Sequence, residues 1–220
     1  AVENAQKKVE GRNFSIRKNV LKYDDVMNAQ REIIYKQRRE VLDGEDIHSN
    51  ILNMINSIAE ETVAMFVEGE DIEALNTEIT NEFGLDMYDF IKSHENDSNA
   101  IIEELEKQAT DKYQAKEEEI TSEKMRELER VVMLKVVDEK WMNHIDNMDE
   151  LKNGIGLRAY GQQDPVVKYR MEGMDMFEEM IANIKADVVK ILMNIRKQNG
   201  EVKRQEAAKI TGAALEAINS

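Results

Sequence analysis

Apolar residues recur every three or four positions along most of this chain, and no sustained run alternates in twos. That spacing gathers them on one face of a helix, so the chain reads as almost wholly helical. Val9, Ile16, Val20, Tyr23, Met27, Ile34 and Val41 form a single stripe and predict one long helix over residues 2–42. Gly11 inside it costs about 1 kcal/mol relative to Ala, too little to break it. Asp43-Gly44 is a stop signal. Shorter helices follow at about 47–68, 71–83 and 85–93, with Gly69 and Gly84 at the joins and a polar turn cluster over 94–99. A mostly polar helix from about Ala100 carries Leu105, Ala109, Tyr113 and Ile120.

Two strongly periodic segments close the pattern. Leu134, Val137, Trp141, Ile145, Met148, Leu151 and Ile155 line one of them, and Phe177, Met180, Ile181, Ile184, Val188, Ile191, Leu192 and Ile195 line the other. Between them, residues 152–165 hold Gly154, Gly156 and Gly161 and the chain's single proline, Pro165. Glycine accepts positive φ and proline cannot continue a helix, so the chain is predicted to reverse here. The expected object is a helical hairpin with Tyr160, flanked by Leu157 and Arg158, near its tip. The fold class is therefore all-α: one long helix packed with a two-helix hairpin, plus a smaller helical insert, the greasy faces covering one another. After Gly200 the chain turns small and polar, as a linker does.

Composition sharpens this outline. Charged residues make up 34% and aromatics 5%, which suits extended helices with long solvated faces. Cysteine is absent, which removes disulfides and thiolate metal sites. The first residue is Ala and no signal-peptide pattern appears, so the sequence reads as a piece of a longer polypeptide. Residues 1–42 hold ten Lys and Arg against six Asp and Glu, whereas residues 43–130 hold seven against twenty-five. An acidic middle of that strength repels nucleic acid and suits a solvated surface.

Candidate chemistry is sparse. No Gly-x-x-x-x-Gly-Lys-Ser/Thr run exists to cradle phosphates. In the run from Gly154 through Gly156 to Gly161, the third glycine falls too late for a dinucleotide fingerprint, and no strand precedes it. His48, His94 and His144 stand far apart, and the lone Glu45-Asp-Ile-His48 lacks the partners of a di-iron bundle. Asp24 and Asp25 point about 100° apart on a helix, so they suit ion pairs with Lys18, Lys22, Arg31 or another domain better than shared-proton chemistry. Trp141 reads as a core anchor. The run Met171, Met174, Met176 and Met180 reads as adaptable packing, with a contact surface as the alternative. No catalytic site is visible, and no metal or cofactor is expected.

Residues Ala5-Gln-Lys-Lys-Val-Glu-Gly-Arg-Asn-Phe-Ser-Ile-Arg-Lys18, then Tyr23-Asp-Asp-Val26 and Gln30-Arg31, resemble the start of the helical scaffold in the SecA family of preprotein translocase motors. Asp138-Glu-Lys-Trp141, His144, Met148-Asp149, Leu151, the run from Ile155 to Pro165, Lys168-Tyr-Arg170 and Met176-Phe177 resemble its two-helix finger. The match is dense over 1–42 and 130–197 and rests on position and helical character in the acidic middle. The resemblance implies a scaffold helix over 1–43, a helical wing over 44–128, the rest of the scaffold with the finger over 129–200, and the start of a C-terminal linker over 201–220.

It also implies a role without catalysis. ATP and Mg would bind domains N-terminal to this region, and the chain would couple their hydrolysis to the movement of unfolded preproteins through a membrane channel. Tyr160, Leu157 and Arg158 would touch the moving polypeptide, while Asp24, Asp25 and Arg31 would make contacts between domains. Such a protein is cytoplasmic and peripherally bound to the plasma membrane. A purely structural adaptor or dimerisation module explains the same stripes, and exposed stripes admit a homodimer. A nucleic-acid partner is not expected.

Overall fold

The computed structural model describes residues 2–43, 47–66, 71–95, 97–158, 164–198 and 201–204. Among them are seven helices: α1 (Val2–Leu42), α2 (His48–Phe66), α3 (Ile72–Phe83), α4 (Tyr88–Ser93), α5 (Ser98–Ile120), α6 (Ser122–Arg158) and α7 (Pro165–Asn194). Two short antiparallel strands, β1 (Ile195–Gln198) and β2 (Glu201–Arg204), follow, with Ile195 opposite Arg204 and Gln198 opposite Glu201. The all-α reading holds, with three adjustments. The helix before the hairpin tip begins at Ser122 rather than near 130, because the break falls at Thr121. Helix α7 stops at Asn194, so Ile195 belongs to a strand. The chain from Glu201 to Arg204 pairs as β2, where linker was expected.

The chain divides into two compact units, 1–39 with 138–182 and 40–137 with 183–220. In the first, α1 lies against the second part of α6 and the first part of α7. Met148, Leu151, Ile155 and Tyr169 form its core, with Tyr23, Val26, Met27 and Met176 packed on it. Ile34 is 1% exposed, and Trp141 is buried as its place on the stripe required. The stripe on α1 is covered unevenly. Val9, Phe14, Val20 and Leu21 stay exposed, so the expected mutual covering reaches only from about Tyr23 onward.

In the second unit, α2 packs mainly on α5, with Ile51, Ile55, Ile58, Ala59 and Val63 meeting Ile101, Leu105, Ala109 and Tyr113 in the interior. Caps set the element ends. Asp71 and Asp97 accept hydrogen bonds from the Ala74 and Ala100 N–H groups at 2.9 and 3.0 Å, satisfying orphan donors at the starts of α3 and α5. Gly84 closes α3 at φ +62°, as the sequence required of that join. A Cβ there would lie 2.6 Å from Lys112 Nζ and 2.9 Å from Asn194 Oδ1, so a side chain would also push those two groups aside. Lys112 Nζ donates to the Phe83 and Gly84 carbonyls at 2.6 and 2.8 Å, and Asn194 Nδ2 donates to the Glu82 carbonyl at 3.1 Å. A positive charge at a helix C-terminus is also favoured by the helix dipole.

Candidate functional site

The expected hairpin tip falls where α6 ends and α7 begins. Leu157 and Arg158 are the last two residues of α6, and Tyr160 lies outside the described residues. Pro165 occupies the first position of α7, where its missing N–H costs nothing. Asp164 caps that end: its side chain accepts from the Val166 N–H at 2.9 Å and its carbonyl from the Val167 and Lys168 N–H groups at 3.0 and 3.2 Å. The start of α7 is thus fixed by local chemistry readable in Asp164-Pro165.

Beneath the tip, Tyr23 of α1 meets Tyr169 of α7 edge to face, with ring centroids 4.7 Å apart. Lys152 of α6 reaches Asp24 at 3.3 Å and stands 5.9 Å over the Tyr23 ring. Burial, aided by Asp149 and Asp24 nearby, pushes the Tyr169 hydroxyl up to about 12, so it stays a neutral phenol. Asp24 thus pairs with Lys152 of the hairpin. Arg31 Nη1 donates to Asn28 at 3.1 Å, and Asp25 borders the groove described below.

About two turns further along α1 sits a polar clasp that the apolar pattern concealed. Gln30, 5% exposed, donates from Nε2 to the Gly173 carbonyl at 2.8 Å. Its Oε1 lies 2.9 Å from His144 Nε2, which must therefore carry the hydrogen and donate. The His144 ring is flanked by Trp141 and Phe177 at 5.6 and 5.7 Å between centroids, and burial lowers its pKa, keeping it neutral. A Cβ on Gly173 would come within 2.6 Å of Met148 Cε. Farther along, Arg38 grips Asp138 with two bonds of 2.9 and 3.2 Å.

Between α1 and α7 runs an apolar groove of about 750 Å³. Val26, Ile33, Val167, Met171, Met174 and Phe177 supply its greasy lining, and Lys22, Asp25, Asp164 and Arg170 its charges. The methionine run splits as its helical spacing dictates. Met171 and Met174 are 63% and 49% exposed, whereas Met176 is partly buried and Met180 buried.

The second unit holds a charged cluster. The Glu129 side chain has no exposed surface, although it is surrounded in sequence by charged residues. The Tyr113 hydroxyl donates to Glu129 Oε1 at 2.5 Å, Arg126 pairs with both Glu129 and Glu117, and His48 Nδ1 lies 3.1 Å from the same Glu129 oxygen. Hydrogen bonding from Arg126 holds the Glu117 carboxyl below its ordinary value, while burial and Glu129 hold the Tyr113 hydroxyl well above its own. The cluster straddles the α5–α6 joint at Thr121, whose φ of +88° is rare for a β-branched residue. His48 thus serves this cluster, His144 the clasp, and His94 stacks on Phe90 at 4.2 Å. No group of three or more His, Cys, Asp or Glu among the described residues is arranged to hold a metal ion. No helix there is long and apolar enough to cross a membrane.

Gln30 and Glu129 were the functional-looking polar residues that periodicity missed. The signal was present in both cases. Gln30 occupies the gap in the stripe between Met27 and Ile34, and Glu129 sits on the helix face of Met125, Leu128, Val132 and Val136.

The SecA Wing and Scaffold domain family matches residues 1–196. Among curated proteins, the chain is 47% identical over 215 residues to the protein translocase subunit SecA of Alkaliphilus oremlandii, covering 95% of this chain and 24% of that protein. It is 49% identical to the SecA of Clostridium acetobutylicum (96% of this chain, 26% of the relative) and 51% identical to that of Clostridium kluyveri (89% and 24%). The chain spans about a quarter of the length of the curated relatives it matches.

Proposed function

The chain belongs to the SecA Wing and Scaffold domain family, and from that premise we propose that it is a non-catalytic part of a protein-translocating motor. Residues 1–43 and 129–200 make the scaffold and its two-helix finger, 44–128 the wing, and 201–220 the start of a linker. ATP and Mg bind elsewhere in the parent polypeptide. The finger loop, with Tyr160, Leu157 and Arg158, touches unfolded preprotein at the cytoplasmic mouth of a membrane channel. Asp25 and Arg31, both exposed, would face other domains of the parent, while Asp24 is held by Lys152.

The observation that carries this reading is the α6–α7 hairpin, broken between Arg158 and Asp164 and braced on α1 just below the break by Tyr23, Tyr169, Lys152 and Asp24. From Asp138 to Arg158 the helix is about 30 Å long at 1.5 Å per residue. A phenol at the tip suits cargo of any sequence, since it offers a flat apolar face and one hydroxyl.

The test uses the full-length parent with channel-containing vesicles and a secretory substrate. Tyr160→Ala is expected to slow translocation severely with the fold intact, and Tyr160→Phe to do less harm. Normal rates for Tyr160→Ala would sink the fingertip role. Exposed Val9, Phe14, Val20 and Leu21 favour a second reading, a module that dimerises through α1. Sedimentation of the chain against concentration separates it, since a monomer at all concentrations removes that reading.

A further inference from the structure

Tyr23, Met27, Gln30 and Ile34 fall at the alternating four- and three-residue steps of a heptad seam on α1. Every member but Gln30 is apolar or aromatic. A seam of that composition tolerates slippage of α7 by one helical turn, about 5.4 Å, in so far as apolar contacts are non-directional. Gln30 does not. Its amide N–H reaches the Gly173 carbonyl and its oxygen takes the His144 Nε2–H, all three residues being buried.

We propose that Gln30, His144 and Gly173 form a register key that lets α1, the second part of α6 and the first part of α7 pack in one alignment only. A turn of slippage strands the Gln30 amide, its oxygen and the His144 N–H in an apolar interior. Three unsatisfied groups together reduce the slipped state on the order of a hundredfold or more. Gly173 tightens the constraint on the other side. It is the sole glycine of α7, and Met148 of α6 lies where any larger residue would put its Cβ. Gln30, His144 and Gly173 come one from each helix, so the clasp joins all three at one level. A buried amide in a coiled-coil seam fixes alignment in the same way, at some expense of stability.

The consequence reaches past the proposed translocation role and does not depend on it. Residues 138–158 and 165–182 cannot slide along α1 like a piston. Any excursion of the hairpin tip relative to a partner carries α1 with it.

The chain contains no cysteine, which makes distance labelling clean. Spin labels introduced through Glu32→Cys on α1 and Glu178→Cys on α7, both exposed positions, report the alignment in the 220-residue protein. The unmodified seam should give one narrow distance. Gln30→Leu with His144→Phe replaces the key by apolar groups, while the Gly173 carbonyl keeps its bond within α7. This double variant should stay helical with a similar melting temperature, yet show a second or broadened distance. Met27→Ala, which loosens packing and keeps the key, should melt lower with one narrow distance. A single narrow distance in the double variant overturns the proposal. So does a split distribution in Met27→Ala, or a double variant that fails to fold where Met27→Ala folds.

Discussion

The two units each bury a polar knot, and the knots are built from opposite materials. Gln30, His144 and the Gly173 carbonyl are neutral, and each finds its partner within 2.9 Å. The other knot is ionic: Glu129 is wholly enclosed and takes hydrogen bonds from Tyr113 and Arg126 with His48 alongside, yet its Oε2 meets no donor among the described residues. A neutral amide costs little to desolvate, so it can specify alignment in an otherwise greasy seam. A buried carboxylate costs far more and must be surrounded by donors to be tolerated at all. The ionic knot stands where the backbone itself is strained, at Thr121, and it ties α5 to α6 across that joint through Arg126, Glu117 and Glu129. The neutral knot selects an alignment; the ionic one holds a strained corner.

The contrast can be broken by substitution. Arg126→Met should be the most damaging change, since it leaves Glu129 enclosed without its strongest partner. A loss of about 3 kcal/mol in urea unfolding is expected, toward the low end for a severed buried pair because Arg126 keeps some solvent contact. A loss under about 1 kcal/mol would mean that the corner stands without its ionic tie. Gly173→Ala comes next, at about 1 kcal/mol by the same measurement, because the Met148 methyl it displaces is the flexible end of a side chain. A loss above about 3 kcal/mol would mean that Met148 cannot give way. Thr121→Gly should go the other way. It relieves the positive φ but adds freedom to the unfolded chain, for a net gain of up to about 1 kcal/mol. A destabilised Thr121→Gly would show that the threonine side chain earns its place.

Acid separates the knots with the smallest effect of the set. Burial depresses His144 below its ordinary 6.5, so the unfolded chain takes up this proton first. The stability from keeping it neutral is complete above 6.5 and declines as pH falls below that value. Glu117 is depressed from 4.5 by its bond to Arg126, so its contribution declines only in more acidic solution, below 4.5. Hydrogen exchange followed from pH 7 downward should therefore loosen the amides around residues 141–148 before those around 113–129. The reverse order would contradict both assignments.

Much of the architecture was legible because periodicity and punctuation agree. The extent of α1, Gly84 with its positive φ, and the Asp164-Pro165 start of α7 all fell where local rules put them. What stayed hidden depends on partners remote in sequence. Gln30 meets residues 114 and 143 positions away, and Tyr113 and Glu129 come from different helices, so no local window reveals either set. Thr121 escaped notice because a break held by tertiary contacts needs no glycine or proline. Tyr160, placed near the tip by the hairpin pattern and given its polypeptide contact by the resemblance, lies outside the described residues.

The long first helix has a quieter implication. From Tyr23 onward it is anchored by neighbours, but Val9, Phe14, Val20 and Leu21 lie open to solvent. A helical stretch whose described apolar side chains face water draws little on packing and rests mainly on intrinsic propensity, which in water is barely enough for about a dozen residues. The opening turns of α1 should therefore melt and re-form many times for each excursion of the anchored portion, and deuterium should enter the backbone there first.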